Sequence, residues 1–223
     1  MEETDVRRYG RRAFLGVVVA GVSALAWADR LGHHVGGGLK QLEALAPSRG
    51  WRIYTVADTM PTFDRASWRL RIDGLVERPL ELSYEDLRAL PRAQQTSDFH
   101  CVTGWSVDGV RWAGVRFRDL LAEARPQPQA HALRFVSAEI PYDDTLTLEQ
   151  AYLGDAMLAY EMDGQPLSRP HGAPVRVVIP EMYGYKNVKW VERIELVAHA
   201  EDGYWEQRGY DRDAWVGRSN GYG

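Results

Sequence analysis

One short stretch of the sequence, residues 98–106, brings together side chains that could do chemistry. It contains Cys101, the only cysteine among 223 residues, with His100 and Thr103 beside it. A thiolate is both a soft metal ligand and a strong nucleophile. A free cysteine can also be a small apolar residue of the core. The stretch therefore allows three interpretations of Cys101: a metal ligand, a nucleophile or a core residue.

A second stretch, formed by residues 171–176 and 183–190, places positive charge next to glycines. The chain has 27 basic residues, of which three are lysines, and Lys186 and Lys189 are two of these three. Together with Arg176 they could bind an anion such as phosphate. Lysines also occur on solvated edge strands, where they oppose aggregation. The residues by themselves leave both interpretations open.

Strands have to position most of these residues. Alternation of polar and apolar side chains, and short β-branched segments, are the patterns that predict strands. The predicted strands are residues 68–73, 94–99, 110–112, 133–137, 157–162, 174–179 and 194–197. Cys101 is expected at the end of the second of these strands or in the loop after it. Asp108 and Gly109 predict a hairpin turn, and Asp163 and Gly164 predict another.

Short helices are predicted between the strands. Ser83 with Asp86 is typical of a helix cap before residues 84–90, and residues 115–124 have helical periodicity. Thr147 predicts the start of a third, short helix. The sequence contains no glycine-rich phosphate loop of the dinucleotide or P-loop type. The predicted fold class is α+β, with mixed β-sheets and short helices.

The N-terminal residues read as an export signal rather than as part of the fold. Arg11 and Arg12 precede an apolar run over residues 13–27, and residues 26–28 offer a small-x-small cleavage site. The run is shorter than the roughly twenty residues of a spanning helix, which favours a cleaved signal over an uncleaved membrane anchor. The segment resembles a twin-arginine signal, whose pathway exports folded proteins. We expect a signal over residues 1–28, a flexible tether over 29–50 and one folded domain over 51–223.

Composition excludes some classes of partner and of stabilisation. The formal charge is −4, and removing residues 1–28, with four arginines and three acidic residues, would leave −5. This charge gives no reason to expect nucleic-acid binding. A single cysteine cannot form an internal disulfide, so the core has to stabilise the fold.

Taken together, the two stretches resemble a known family. Residues 99–106, 112–115, 171–176 and 183–190 are similar, in this order, to the molybdopterin-binding domain of the sulfite oxidase superfamily. The closest resemblance is to the catalytic subunits of bacterial methionine sulfoxide reductases. The resemblance implies a sulfite-oxidase-type fold and a Mo-molybdopterin cofactor, with Cys101 as thiolate ligand of the metal. A soft thiolate suits such a metal.

The resemblance also implies a set of cofactor-binding residues. His171 stands where some relatives have asparagine, and both side chains can form hydrogen bonds. The implied cofactor-binding residues are Tyr54, Thr55, Cys101, Ser137, His171, Arg176, Lys186, Asn187, Val188 and Lys189.

The activity that the resemblance implies is two-electron oxygen-atom transfer, with Cys101 as the catalytic residue. Sulfite-oxidising relatives place an arginine shortly after the cysteine, whereas this chain has Trp105 and Ser106. Reduction of a neutral sulfoxide or N-oxide, free or protein-bound, is therefore favoured. Oxidation of sulfite or another sulfur compound is the alternative, and a non-catalytic cofactor-binding module is a second one.

Electron transfer and location follow from the same resemblance. The sequence has neither the haem domain nor the dimerisation domain of the larger sulfite oxidases. We therefore expect an external electron-transfer partner, either a membrane haem protein or a cytochrome, and a monomer. The expected location is the periplasm or another compartment outside the cytoplasm. Tyr204, Trp205, Tyr210 and Trp215 are expected to pack on the core, with docking of a redox partner as the alternative.

A different class of enzyme would use Cys101 as a nucleophile. The candidate bases are His100, His131 and His171. Adjacent residues such as His100 rarely orient productively, and no third member has a recognisable spacing. Metal content would distinguish this alternative from a metal-dependent enzyme.

Overall fold

The structure is a computed structural model that describes residues 50–218. These residues lie within one compact unit, Ser48–Gly223. The predicted export signal, and all of the predicted tether except Gly50, lie outside the described residues. No helix within residues 50–218 is long and apolar enough to cross a membrane.

The described part of the chain contains ten strands and three short α-helices. The strands are β1 (Arg69–Gly74), β2 (Leu80–Ser83), β3 (Ala93–Cys101), β4 (Trp105–Arg116), β5 (Ala132–Ser137), β6 (Asp143–Thr147), β7 (Met157–Met162), β8 (Gln165–Pro166), β9 (Arg176–Val178) and β10 (Val191–Val197). The helices are α1 (Tyr84–Ala89), α2 (Phe117–Ala124) and α3 (Leu148–Ala151), with 3-10 turns at Arg169–His171, Gly184–Lys186 and Glu206–Arg208.

The strands form two five-stranded sheets. The first has the order β2-β1-β10-β5-β6, and the second has the order β3-β4-β7-β8 with β9 also paired to β7. β1 and β10 are parallel, with Ile72 opposite Ile194, whereas the other pairs are antiparallel. A parallel pair inside an otherwise antiparallel sheet makes the fold mixed. The α+β prediction is confirmed.

The main core lies against the first sheet and α2. Leu70, Ile72 and Phe135 are fully buried there, with Phe117 of α2. α2 forms because its apolar residues fall on one face, and that face is the one it buries. A smaller cluster around Trp51 and the strands of the second sheet lies beside it.

The predicted helix caps are confirmed. The Ser83 hydroxyl accepts from the backbone N–H of Asp86, whose carboxylate accepts from the N–H of Ser83. Thr147 and Gln150 form the same reciprocal pair at the start of α3. Each pair satisfies backbone donors that a helix start leaves without an intrahelical partner.

Two local predictions are wrong. Asp108 and Gly109 do not form a turn, because β4 runs through them; the N–H of Gly109 donates to Asp98 Oδ1 at 2.8 Å. The β3–β4 pairing is irregular between Ser97 and Phe99, where Asp108 and Gly109 of β4 face the single residue Asp98, so the Asp-Gly pair forms a bulge within β4. The helix predicted from residue 115 begins at Phe117, since the two residues before it continue β4.

Candidate functional site

A cavity of about 430 Å³ lies where both stretches singled out in the sequence meet. Its volume is in the range of small-molecule and cofactor pockets. The lining residues come from five parts of the chain, namely 51–56, 99–105, 139–142, 170–189 and 204–210. The cavity therefore brings together segments that are far apart in sequence.

Cys101 is at the last position of β3 and lines this cavity. A three-residue turn follows, in which the N–H of Gly104 donates to the carbonyl of Cys101 at 3.0 Å before Trp105 pairs back. Gly104 has a φ of +86°, which glycine adopts without strain. The Cys101 Sγ is 3.2 Å from Thr103 Oγ1 and the residue is partly exposed. The turn thus presents the sulfur to the cavity rather than to the core.

Arg176 is a buried cation in the cavity wall. Its guanidinium donates to the backbone carbonyls of Val177, His171 and Asn187 at 3.3–3.4 Å. It also lies over the rings of Phe99 and Trp112, at 5.5 and 5.3 Å. None of the ion pairs formed by residues 50–218 includes Arg176. Burial lowers the pKa of this guanidinium to about 10.

Lys189 is a second cation in the same wall. Its ammonium donates to the carbonyl of Tyr54 at 2.6 Å and lies 4.0 Å from the centre of the Trp190 ring. Burial, together with the charge of Arg176, lowers its pKa to about 7. A Cβ at Gly172 would lie 2.9 Å from the Lys189 Cβ, so the glycine lets the two segments approach.

His171 completes the basic side of the cavity. Its ring packs edge-on against Trp51, with 5.0 Å between the ring centres. Burial and the charges of Arg176 and Lys189 lower the pKa of His171 to about 4. The imidazole is therefore neutral at pH 7 and is a weak base, which argues against its activating Cys101 as a nucleophile. The other two candidate bases, His100 and His131, do not line the cavity.

The charges of Arg176 and Lys189 indicate whether the site fits an anionic cofactor. A buried cation without a carboxylate partner is costly, and a bound anion removes that cost. Arg176 is such a cation, Lys189 is a half-buried one that also forms no ion pair among the described residues, and both share the cavity with the Cys101 sulfur. The residues present therefore suit a ligand that carries both a phosphate and a metal with affinity for thiolate.

Residues 54–57 close another side of the cavity. Glu139 Oε1 accepts from the N–H groups of Val56 and Ala57, at 2.7 and 3.3 Å, and from the Thr55 hydroxyl. Glu139 is almost fully buried, and Tyr54 is held by Lys189. The segment is thus fixed from both sides. Sequence reasoning missed Glu139, because the residue acts on a segment 83 positions away.

Seven of the ten residues expected at the cofactor line the cavity, and three do not. The seven are Tyr54, Thr55, Cys101, His171, Arg176, Asn187 and Lys189. Ser137 lies behind them, donating to the carbonyl of Lys189 at 2.8 Å and accepting from the N–H of Glu139. Val188 is in the main core. Lys186 is buried, with its ammonium bound to Asp144 at 2.7 Å and to Glu206.

Aromatic rings form much of the remaining wall. Trp51, Phe99 and Trp105 cluster around the cysteine strand, with ring centres 4.8–6.1 Å apart. Tyr204, Trp205 and Tyr210 line the cavity, and Trp205 and Tyr210 also pack on the main core, as the sequence predicted. Trp215 packs on the core outside the cavity. For Tyr204, Trp205 and Tyr210, the sequence signal was only the density of aromatic residues near the C-terminus.

Comparison with known proteins assigns the family. Residues 57–205 match the model of the oxidoreductase molybdopterin binding domain. The uncharacterized oxidoreductase YuiH of Bacillus subtilis is 38% identical over 155 residues, which cover 68% of this chain and 77% of that protein. This chain therefore belongs to the molybdopterin-binding oxidoreductase domain family, which includes the sulfite oxidases.

Two more distant relatives are named for different activities. The methionine-sulfoxide reductase catalytic subunit MsrP of Campylobacter jejuni is 30% identical over 65% of this chain and 54% of that protein. Sulfite oxidase of Arabidopsis thaliana is 30% identical over 65% of this chain and 45% of that protein. The chain thus spans about half the length of these two relatives.

A solved structure supports the same fold. The sulfane dehydrogenase SoxCD of Paracoccus pantotrophus has a TM-score of 0.59 and 30% identity, over 63% of this chain and 41% of that chain. The predicted sulfite-oxidase-type fold is confirmed. The protein is an oxidoreductase, and molybdopterin is its cofactor.

Proposed function

We propose that the Cys101 thiolate is the protein ligand of a molybdenum held in this cavity, and that the enzyme transfers an oxygen atom there. One observation carries the proposal: a partly exposed sulfur shares a cavity with two cations, the buried Arg176 and the half-buried Lys189, that form no ion pair among the described residues. These are the groups needed to bind a metal and a phosphate at one ligand.

In this proposal, the predicted cofactor-binding residues other than Cys101 form two groups: one lines the cavity and the other lies behind its wall. Arg176 and Lys189 bind the phosphate, while His171, Asn187 and the segment at Tyr54 and Thr55 orient the pterin. Ser137, Lys186 and Val188 act from behind the wall. Ser137 holds the backbone of Lys189, for example, and thereby positions its ammonium.

When bound, the cofactor supplies the two-electron exchange of an oxygen atom. The chain supplies binding, orientation and a partly closed cavity. The aromatic rings of Trp51, Phe99 and Trp105 exclude water from the side of the cavity next to Cys101. Neutral His171 can donate or accept a hydrogen bond there without adding a charge.

We propose reduction of a neutral sulfoxide or N-oxide, free or protein-bound, as the reaction. The support is the wall next to the sulfur, where Trp105 lines the cavity and residues 102–106, just after the cysteine, contain no arginine. Besides Arg176 and Lys189, which are assigned to the phosphate, the wall also contains Arg52 and Glu139. The relative MsrP of Campylobacter jejuni, at 30% identity, is named a protein-methionine-sulfoxide reductase catalytic subunit.

Oxidation of sulfite or another sulfur compound is the second candidate. Arg52 favours it, because this exposed arginine also lines the cavity and could bind an anionic substrate. The names of two relatives, a sulfite oxidase and a sulfane dehydrogenase, point the same way.

Metal analysis and turnover test the proposal together. Protein from a host that makes the pterin should contain about one molybdenum per chain, and the Cys101→Ala variant should lose the metal or change its electron paramagnetic resonance signal. Thr103→Ala serves as the matched control, because it alters the same turn and keeps the sulfur. Folded wild type without molybdenum would refute the ligand assignment.

Substrate assays then separate the candidate reactions. Loaded enzyme should reduce sulfoxides or N-oxides with a viologen donor and should oxidise sulfite slowly with an artificial acceptor. Fast sulfite oxidation with slow reduction of sulfoxides and N-oxides would instead establish the second candidate. In that case Arg52→Gln should slow sulfite oxidation. Loaded enzyme that turns over neither class would be a cofactor-binding module.

We further propose that the protein is exported in folded form by the twin-arginine route and works outside the cytoplasm as a monomer. An external haem protein or cytochrome would exchange electrons with it. The support is the sequence, in which Arg11 and Arg12 precede an apolar run. Replacing both by lysine should retain the loaded enzyme in the cytoplasmic fraction; unchanged export would contradict the route.

A further inference from the structure

A compact loop near the C-terminus forms one wall of the cavity. We call residues 202–212 the aromatic loop. The family match ends at residue 205, so Tyr204 and Trp205 lie within it and residues 206–212 lie beyond it.

The aromatic loop presents three rings to the cavity. Trp205 contacts Tyr204 and Tyr210, with ring centres 5.1 and 5.0 Å apart. Tyr142, on the neighbouring side of the cavity, stacks on Tyr204 at 5.5 Å. All four residues line the cavity. They form a continuous aromatic surface rather than isolated contacts.

The loop is anchored at both its ends and its centre. Arg212 and Asp202 pair across its ends, and the Tyr185 hydroxyl donates to the carbonyl of Asp211 at 2.6 Å. At the centre, Glu206 binds the ammonium of Lys186. A wall fixed in this way can select among ligands, because it does not move aside for the wrong one.

The charged side chains of the loop are turned away from the cavity. Glu206 is buried against Lys186, and the Arg208 guanidinium lies 3.6 Å from the centre of the Tyr204 ring and does not line the cavity. The Tyr204 ring is stacked by Tyr142 and Arg208, so the loop offers the cavity chiefly the uncharged rings of Trp205 and Tyr210. Such faces bind alkyl and aryl groups, and they make favourable contacts with sulfur.

We propose that the aromatic loop is the specificity-determining wall of the active site, where Trp205 binds the apolar substituent of a neutral sulfoxide. This inference rests on the proposed function, since it names the class of sulfoxide that the site would prefer. A substrate with a bulky or aryl group should contact the loop, whereas dimethyl sulfoxide should gain little from it.

The experiment compares methyl phenyl sulfoxide with dimethyl sulfoxide on molybdenum-loaded enzyme. Trp205→Leu should raise KM for the phenyl substrate about tenfold, which corresponds to about 1.4 kcal/mol, and should change KM for dimethyl sulfoxide less than about twofold. Trp205→Phe, which keeps a ring, should restore most of the affinity. Trp215→Leu is the matched control, because Trp215 packs on the core outside the cavity.

Equilibrium binding separates this inference from the proposed reaction. Methyl phenyl sulfoxide is dialysed against loaded enzyme without an electron donor, so no turnover is needed. Binding that weakens in Trp205→Leu and not in Trp215→Leu supports the loop assignment, even if the wild type reduces no sulfoxide and the proposed reaction fails. Equal binding by all variants, or no binding by the wild type, overturns it. Equal loss for both substrates with lower molybdenum content would also overturn it, since the loop would then serve only the fold.

Discussion

At the scale of single residues, the site is defined by two cations, Arg176 and Lys189, that form no ion pair in the described part of the chain. Lys189 illustrates the free-energy cost of placing a charge there, because burial and the charge of Arg176 lower its pKa from the ordinary 10.5 to about 7. The unfolded chain therefore binds more protons than the folded chain between pH 7 and 10.5. The contribution of Lys189 should therefore make the cofactor-free protein more stable as the pH rises from 7 to 10.5.

Replacement of Lys189 by methionine tests this cost. In cofactor-free protein, Lys189→Met should be more stable than wild type by about 1–2 kcal/mol near pH 6.5, with the gap closing toward pH 10. Denaturant unfolding at several pH values measures it. Lys189→Arg, which keeps the charge, should show no gain. A methionine variant that is less stable at every pH would contradict the assignment of an uncompensated charge.

Lys186 is a residue whose surroundings could not be inferred from its neighbours in sequence. Its ammonium lies between the carboxylates of Asp144 and Glu206 and also donates to the carbonyl of Thr145 at 3.2 Å. Burial, with the nearby charge of Glu206, raises the pKa of Asp144 to about 7. The folded state thus favours a proton on this group, and its contribution to stability decreases as the pH rises through 7.

Lys186, Asp144 and Glu206 form a buried charge cluster. Loss of its lysine and loss of one carboxylate should have different effects on stability. Lys186→Met leaves two carboxylates buried together and should cost about 3–5 kcal/mol at pH 8, and less at pH 5, where Asp144 is protonated. Asp144→Asn keeps the Lys186–Glu206 pair and should cost much less. Denaturant unfolding at both pH values provides the comparison. Equal losses for the two variants would argue against a net negative cluster.

At the scale of elements, the site depends on close contact between β3 and the 3-10 turn Gly184–Lys186. A Cβ at Gly184 would lie 2.4 Å from the Cζ atom of Phe99. The Phe99 ring cannot easily move, because Trp51 packs against it at 4.8 Å and the Arg176 guanidinium lies over it. Phe99 is two residues before Cys101, so this contact positions the sulfur.

Gly184→Ala should therefore affect both stability and metal content. We expect a loss of about 1–3 kcal/mol from overpacking and a lower molybdenum content. Gly154→Ala is the matched control, because a Cβ there meets no atom within 4 Å. Thermal unfolding and metal analysis of both variants check the expectation. Wild-type metal content in Gly184→Ala would show that the contact does not position Cys101.

At the scale of the whole molecule, the second sheet, the loops around it and residues 204–210 enclose a cavity with an excess of positive charge. A ligand that binds only the folded state stabilises it by mass action, by about 4 kcal/mol at a thousandfold excess over its dissociation constant. The bound cofactor should therefore be a large part of the stability of the native protein.

Protein from a host unable to make the pterin should melt well below the loaded enzyme. The difference should be about 5–10 °C or more for a domain of this size. Arg176→Met should remove most of it by weakening cofactor retention, without lowering the melting temperature of the empty protein. Calorimetry of the four samples tests this. Equal melting temperatures of loaded and empty wild type would contradict it.

The sequence by itself determined the local features of this protein. Helix caps at Ser83 and Thr147, the strand before Cys101 and the basic character of residues 171–189 follow from side-chain types at fixed spacings, so they could be predicted. The Asp108–Gly109 turn could not be rejected, because a bulge and a turn use the same residues.

Only the tertiary structure decided which side chains meet at the cavity. Glu139 binds residues 55–57, the Lys186 ammonium points away from the cavity to Asp144, 42 residues earlier, and Trp205 returns to the cavity wall. These contacts join segments from opposite ends of the domain, and side-chain directions in irregular loops follow no sequence period. Long-range packing fixes them, because it determines which polar groups are buried and must find a partner.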